Sequence, residues 1–204
     1  QGPKAVDVVA SVVGDWVRDL KYFWFRETKI DGIPVIVQRS GWSKQGGFEI
    51  YLRDGAKGVQ LYNIFKEAGK PWDIGPGNPN NMERIENGLV SFGADTDDST
   101  NPFEVRLEKF VDLDIDADVI GLEALRQIHA EGPKRHTLGV VFDDGKLSQF
   151  SGSSYYADAR WQLARKGGKF VGHVTATTPS IRFNKIIGFA LANRADANIG
   201  DIID

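Results

Sequence analysis

The sequence predicts an α+β fold, on three observations. Apolar residues recur at helical spacing in Val8, Val9, Val12 and Val13, and again in Val59, Leu61, Tyr62 and Phe65. Short alternating segments lie between them, of which Phe48-Glu49-Ile50-Tyr51 is the clearest. From Arg135 onward, short strand-like runs alternate with turn signals, the pattern of a small antiparallel barrel or sandwich.

Each element has a local reason. Pro3 suits a first helical turn and Gly14 a stop, so a short helix is expected between them. Residues 22–27 and 34–38 read as strands around Asp31-Gly32, a two-residue hairpin turn. Within 22–25, alternation turns one aromatic pair inward. Residues 48–52 make the third strand. Asp54 is placed to cap a helix through about Ala68, with Val59, Leu61, Tyr62 and Phe65 on its apolar face and Gly69 at its end. Gly75-Pro76-Gly77-Asn78-Pro79 is loop by composition. A helix over about 80–88 should carry Met82, Ile85 and Leu89 inward. Residues 112–118 form an acidic linker or surface turn, and 120–130 a helix ended by Gly132-Pro133. Strands are expected over 137–142, 153–156, 161–164, 170–175 and 186–191, with turns at Asp143-Asp144-Gly145 and Lys166-Gly167-Gly168. The domains expected are an α/β domain over 1–112, a linker with a short helix over 113–132, and a β domain over 133–204.

Composition narrows the functions. Of 204 residues, 41% are hydrophobic and 26% charged, an ordinary globular balance for one domain or two small ones. A formal net charge of -3 argues against a nucleic-acid binder that works by charge; the basic run over 160–169 is a weak counter-signal. With no Cys, disulfides, thiolate zinc sites, iron–sulfur ligation and Cys nucleophiles are excluded. No apolar run approaches membrane-spanning length and no segment reads as a signal peptide, so a soluble cytoplasmic protein is the default expectation. The chain opens at Gln1 without a Met and stops on Asp201-Ile202-Ile203-Asp204, which reads as a strand; a piece of a longer protein is expected.

Few constellations suggest chemistry. Glu49 and Tyr51 share one strand face behind a glycine-rich loop holding Trp42. That face reads either as the wall of a small-molecule site or as the exposed side of a hairpin. Trp16 and Trp42 lie outside regular periodicity, so they are candidates for stacking on a flat heterocycle or an onium cation, or else for packing loops onto the domain. Asp112, Asp114, Asp116, Asp118 and Glu123 follow a calcium-loop spacing, but Ala117 stands where that loop needs Gly, so the run reads as a solvated turn. His129, His136 and His173 have no metal-ligand spacing, and no Ser sits in a nucleophile-elbow frame. Gly75-x-Gly77 and Gly167-Gly168 lack the dinucleotide fingerprint.

An ordered series of motifs adds a resemblance. Gln1-Gly2-Pro3-Lys4-Ala5 resembles the L-Q-G-P-x-A of the glycine-cleavage T-protein (aminomethyltransferase) superfamily. The segment from Gly41 to Tyr51 resembles its G-Y-T-G-E-x-G-F-E-I-Y, and Arg84-Ile85-Glu86-Asn87-Gly88-Leu89 its R-L-E-A-G-L. Thr100-Asn101-Pro102-Phe103-Glu104 resembles T-T-P-x-E, Ile120-Gly121-Leu122-Glu123-Ala124-Leu125 resembles F-I-G-x-E-A-L, and Gly172-His173-Val174-Thr175 resembles G-x-V-T. Two segments depart from that pattern: Trp42-Ser43-Lys44-Gln45 replaces Y-T-G-E, and Pro79-Asn80-Asn81 replaces A-R-D. Both resemble the dimethylsulfoniopropionate demethylase branch.

The resemblance implies the later part of a T-protein-like α/β domain pair followed by a small antiparallel β-barrel. It implies a methyltransferase that moves a methyl group from a sulfonium to tetrahydrofolate, a methyl-accepting cosubstrate, with no metal. Glu49 falls on the family's folate-binding position, and Tyr51 and Trp42 would shape the same pocket. Trp16 and Trp42 would face the sulfonium. The family's Arg falls on Asn80, and the acid expected to complete catalysis lies outside this chain. The implied partners are the sulfonium and folate, with no nucleic acid and no membrane, and a homodimer is compatible with them. The alternatives are an aminomethyltransferase of glycine cleavage, the folate domain of a methylglycine-oxidising enzyme, or a non-enzymatic folate-binding protein.

Overall fold

Pro3 and Gly14 bracket the first helix. In the computed structural model, which describes residues 1–41, 43–78, 81–142 and 163–203, α1 spans Ala5–Val13 and buries Val8, Val9 and Ala10. A 3-10 turn over Asp15–Asp19 follows and buries Val17. The chain forms two compact units, Gln1–Glu83 and Arg84–Asp204, and the observed class is the α+β one the sequence predicts.

In the first unit, β1 (Phe25–Ile30), β2 (Ile33–Arg39) and β3 (Phe48–Leu52) form an antiparallel sheet in that order. The two-residue turn between β1 and β2 has positive φ at both Asp31 (48°) and Gly32 (77°), the geometry that matches strand twist. The inner face presents Ile30, Ile33, Val35, Val37, Ile50 and Leu52 to α1 and to α2 (Gly58–Gly69). Asp54 accepts from the Ala56 N–H at 3.0 Å and caps a short 3-10 turn that leads into α2.

Two expectations fail here. Val59 (76% exposed) and Tyr62 (62%) face solvent, and α2 instead turns Leu61, Ile64 and Phe65 inward. Tyr62 stands about 100° round the helix from Leu61, beyond the inward arc. The aromatics Tyr22, Phe23, Trp24 and Phe25 are all exposed, where one pair was expected inside. Phe23 has φ 65° and Trp24 N–H bonds back to Lys21 O, so the chain turns at 21–24 and the pleat starts only at Phe25.

In the second unit, β4 (Arg135–Phe142), β5 (Leu163–Lys166), β6 (Lys169–Ser180) and β7 (Lys185–Asn193) form an antiparallel sheet ordered β4-β7-β6-β5. The two middle strands are buried along most of their length, as their near-continuous apolar and small residues require. Gly167 and Gly168, with φ 57° and 81°, make the β5–β6 turn. α3 (Asn81–Glu86) and α4 (Leu122–Glu131) complete the element list, and Gly132 ends α4. Residues 201–203, expected as a strand, are not in one. The expected strand at 153–156, the turn at Asp143-Asp144-Gly145 and the first half of the one at 161–164 lie outside the described residues, as do Trp42 and Asn80.

A bulge interrupts the β6–β7 pairing: Val174 pairs Ala190 and Ala176 pairs Phe189, which leaves Thr175 as the extra residue. Its hydroxyl donates to Asp95 Oδ1 at 2.8 Å. The other oxygen of Asp95 accepts from the Arg84 guanidinium and from Ser91 N–H. Arg84 and Asp95 side chains are 3% and 1% exposed, so this is a buried, hydrogen-bonded ion pair. A second ionic anchor pairs buried Glu104 with Arg135 through two oxygens at 2.8 and 3.0 Å. The segments resembling R-L-E-A-G-L, T-T-P-x-E and G-x-V-T thus supply the polar framework of this unit.

Candidate functional site

Strand alternation and register build the site face. Glu49 and Tyr51 point away from the core that Phe48, Ile50 and Leu52 contact. Gln38 pairs Glu49 and Phe25 pairs Gln38, while Ile36 pairs Tyr51 and Glu27 pairs Ile36. Two rows therefore cross the outer face, Phe25–Gln38–Glu49 and Glu27–Ile36–Tyr51. Tyr51 OH donates to Glu49 Oε2 at 2.8 Å, and both residues are exposed. That bond, with a smaller effect of burial, holds the Tyr51 phenol above its ordinary value near 10. The phenol stays protonated, orients the carboxylate and leaves Glu49 Oε1 toward solvent. The face offers an aligned acceptor beside apolar surface.

The other sequence candidates are placed differently. Trp16 is half-buried against the cluster on the opposite side of the sheet, and its Nε1–H donates to Val13 O at 2.6 Å. The Arg26 guanidinium sits 4.7 Å from its ring centroid. Glu49 and Tyr51 are thus brought together, and Trp16 is not brought to them. Trp42 is outside the described residues, but its loop is braced on both sides: Gly2 N–H donates to Gly46 O at 3.0 Å, and Tyr22 OH to Gly41 O at 3.0 Å. Arg39 donates to the carbonyls of Arg18 and Leu20 and so fixes the turn carrying Trp16.

The first unit also holds a cavity of about 750 Å³ on the inner side of β3. Phe48, Ile50, Phe65 and Trp72 line it, with Gln45 and Glu83 among its polar residues. Alternation did not signal this cavity, because it forms between α1, the glycine loop and residues 72–78.

The acidic run does not converge. Asp112 accepts from Asp114 N–H, Arg126 donates to Leu113 O and pairs with Glu123. Among the described residues no group of three or more His, Asp or Glu is arranged to hold a metal. The histidines are dispersed: His129 packs on Phe103, His136 Nε2 lies 2.8 Å from Ala197 O, and burial lowers the pKa of His173.

This fold is shared with a known class. The glycine cleavage system aminomethyltransferase T from Bartonella henselae superposes with a TM-score of 0.70 at 21% identity, over 96% of this chain and 50% of that one. The family model described as the GCVT N-terminal domain matches residues 1–115, and the chain belongs to the GCVT family. A dimethylsulfoniopropionate demethylase from Ruegeria pomeroyi is 35% identical over 195 residues, 96% of this chain and 50% of that protein. An aminomethyltransferase from Clostridium botulinum is 32% identical over 204 residues, 98% of this chain and 52% of that protein. The chain spans about half the length of the curated relatives it matches.

Proposed function

We propose that the protein is a tetrahydrofolate-dependent methyltransferase that demethylates dimethylsulfoniopropionate, giving 3-methylthiopropionate and 5-methyltetrahydrofolate. The observation that carries this reading is the Glu49–Tyr51 pair on an open sheet face. The donor-bearing edge of a reduced pterin needs acceptors, and an oriented carboxylate with a free lone-pair direction fits it. Family membership and the 35% identical demethylase support the reading.

Methyl transfer is a displacement. The folate N5 lone pair forms the new N–C bond as the C–S bond breaks; the bonding pair stays on sulfur as a neutral thioether, and N5 gives up its proton. Alignment matters more than acid–base assistance, because the thioether is a good leaving group. Glu49 would orient the pterin, with Tyr51 holding the carboxylate in place and Trp42 beside them. Trp42 and Trp16 would face the sulfonium. A cation arriving at Trp16 must displace Arg26 from the ring face it covers. The division into a folate domain over 1–112, a linker over 113–132 and a β domain over 133–204 belongs to the same proposal, with the family match to residue 115 in its support. So do action in the cytoplasm and independence of any metal.

The second reading is aminomethyl transfer, favoured by the 32% identical aminomethyltransferase. Incubating the full-length protein with tetrahydrofolate and, separately, dimethylsulfoniopropionate, sarcosine and an aminomethyl donor decides between them. The proposal expects 3-methylthiopropionate and 5-methyltetrahydrofolate from the first alone; product from an aminomethyl donor alone replaces it.

A further inference from the structure

Gln38 stands at the centre of the row that ends in Glu49. It pairs Glu49 of β3 on one side and Phe25 of β1 on the other. Its neighbours Val35 and Val37 point into the core, so Gln38 faces outward with Glu49. It is half-buried there, as is Ile36, while Phe25 and Glu49 are exposed. Side chains paired across neighbouring strands start about 4.5–5.5 Å apart. A carboxylate only accepts hydrogen bonds, and a carboxamide supplies the N–H that a carboxylate lacks. The row thus sets a donor beside an acceptor that Tyr51 OH already orients at 2.8 Å.

We infer that Gln38 is a second pterin-binding residue, which makes the face selective for a 2-amino-4-oxo ring. That ring edge runs donor, donor, acceptor: the 2-amino N–H, the N3–H and the 4-oxo oxygen. Glu49 accepts from the two N–H groups, and Gln38 Nε2–H donates to the oxo oxygen. The oxo and amino groups stand either side of N3, a spacing of the same size as that between the paired side chains. Phe25 and Ile36 put apolar surface around the carboxamide, which raises the penalty for a mismatched partner. A 4-amino pterin carries donors in place of the oxo acceptor and has no N3–H, so it breaks the order. The inference rests on the proposed folate reading and adds to it which pterin the face accepts.

The test is calorimetry on the full-length protein with tetrahydrofolate and with its 4-amino counterpart, tetrahydroaminopterin. Wild type is expected to bind tetrahydrofolate the more tightly, by about tenfold. Gln38→Glu keeps the shape and exchanges the donor for an acceptor. It is expected to weaken tetrahydrofolate about tenfold and the 4-amino ligand less than about threefold. Gln38→Leu, which adds no charge, also weakens tetrahydrofolate. Equal losses for the two ligands in Gln38→Glu mean only repulsion between facing carboxylates, and overturn the inference. An unchanged tetrahydrofolate affinity in Gln38→Leu overturns it too. If wild type binds tetrahydrofolate and the ratio stays fixed across the variants, the inference fails and the folate reading stands. If wild type binds neither ligand, both fail.

Discussion

At the scale of single residues, Glu49 and Tyr51 form a directional pair. Glu49→Ala in the full-length protein is expected to abolish detectable tetrahydrofolate binding by calorimetry, and an unchanged affinity removes Glu49 from the site. Tyr51 gives an independent measurement. Because its folded pKa is raised by Glu49, its share of stability is fully present below the unfolded value near 10 and is lost as pH rises through the folded value. A difference titration of tyrosinate absorbance, wild type minus Tyr51→Phe, should show one phenol ionising above its ordinary range. The alternation of Phe48 to Leu52 was legible because a strand repeats every second residue. The partners of Trp16 and Asp95 were not, because Arg26 is 10 residues from Trp16 and Thr175 is 80 from Asp95. Nothing in a local pattern announces a contact at that separation.

At the scale of elements, local chemistry fixed existence better than facing. The Asp31-Gly32 turn and the Gly167-Gly168 turn both formed where their residues demanded positive φ. The inward face of α2 was misjudged because the 3-10 turn over Gly55–Lys57 delays the helix, so its phase is set by tertiary packing. The aromatic stretch before β1 was misjudged because a turn, invisible to hydropathy, breaks the pleat at Phe23. The buried Arg84–Asp95–Thr175 network carries the element-scale prediction. Asp95→Ala leaves a buried guanidinium without this carboxylate and should cost about 3–5 kcal/mol in urea unfolding. Thr175→Val removes a single hydroxyl and should cost about 1–2 kcal/mol.

At the scale of the whole molecule, the site face described here is open. A sheet face covers one side of a ligand, whereas a functional small-molecule pocket encloses most of it. The 204-residue chain expressed by itself is therefore expected to bind tetrahydrofolate at least about tenfold more weakly than the full-length protein, and to transfer no methyl group. Calorimetry and product assay on the two side by side check this. The family was legible at this scale because its motifs run in order from Gln1 to Thr175, although each is short. The pairing of Gln45 with Glu83 was not legible, since the two residues meet only through folding.

The bulge at Thr175 has one more consequence, for how this sheet tolerates change. A regular pair of strands can slip by two residues and keep its faces, but a bulge has only one correct station along its partner. Val174 and Ala176 hold that station against Ala190 and Phe189, so the pair carries its own index mark. A length change between the bulge and the β6–β7 turn cannot be absorbed by sliding, whereas one beyond Lys169 can be taken up in the glycine turn. Natural variation in chain length should thus collect on the Lys169 side of the mark and be missing on the other.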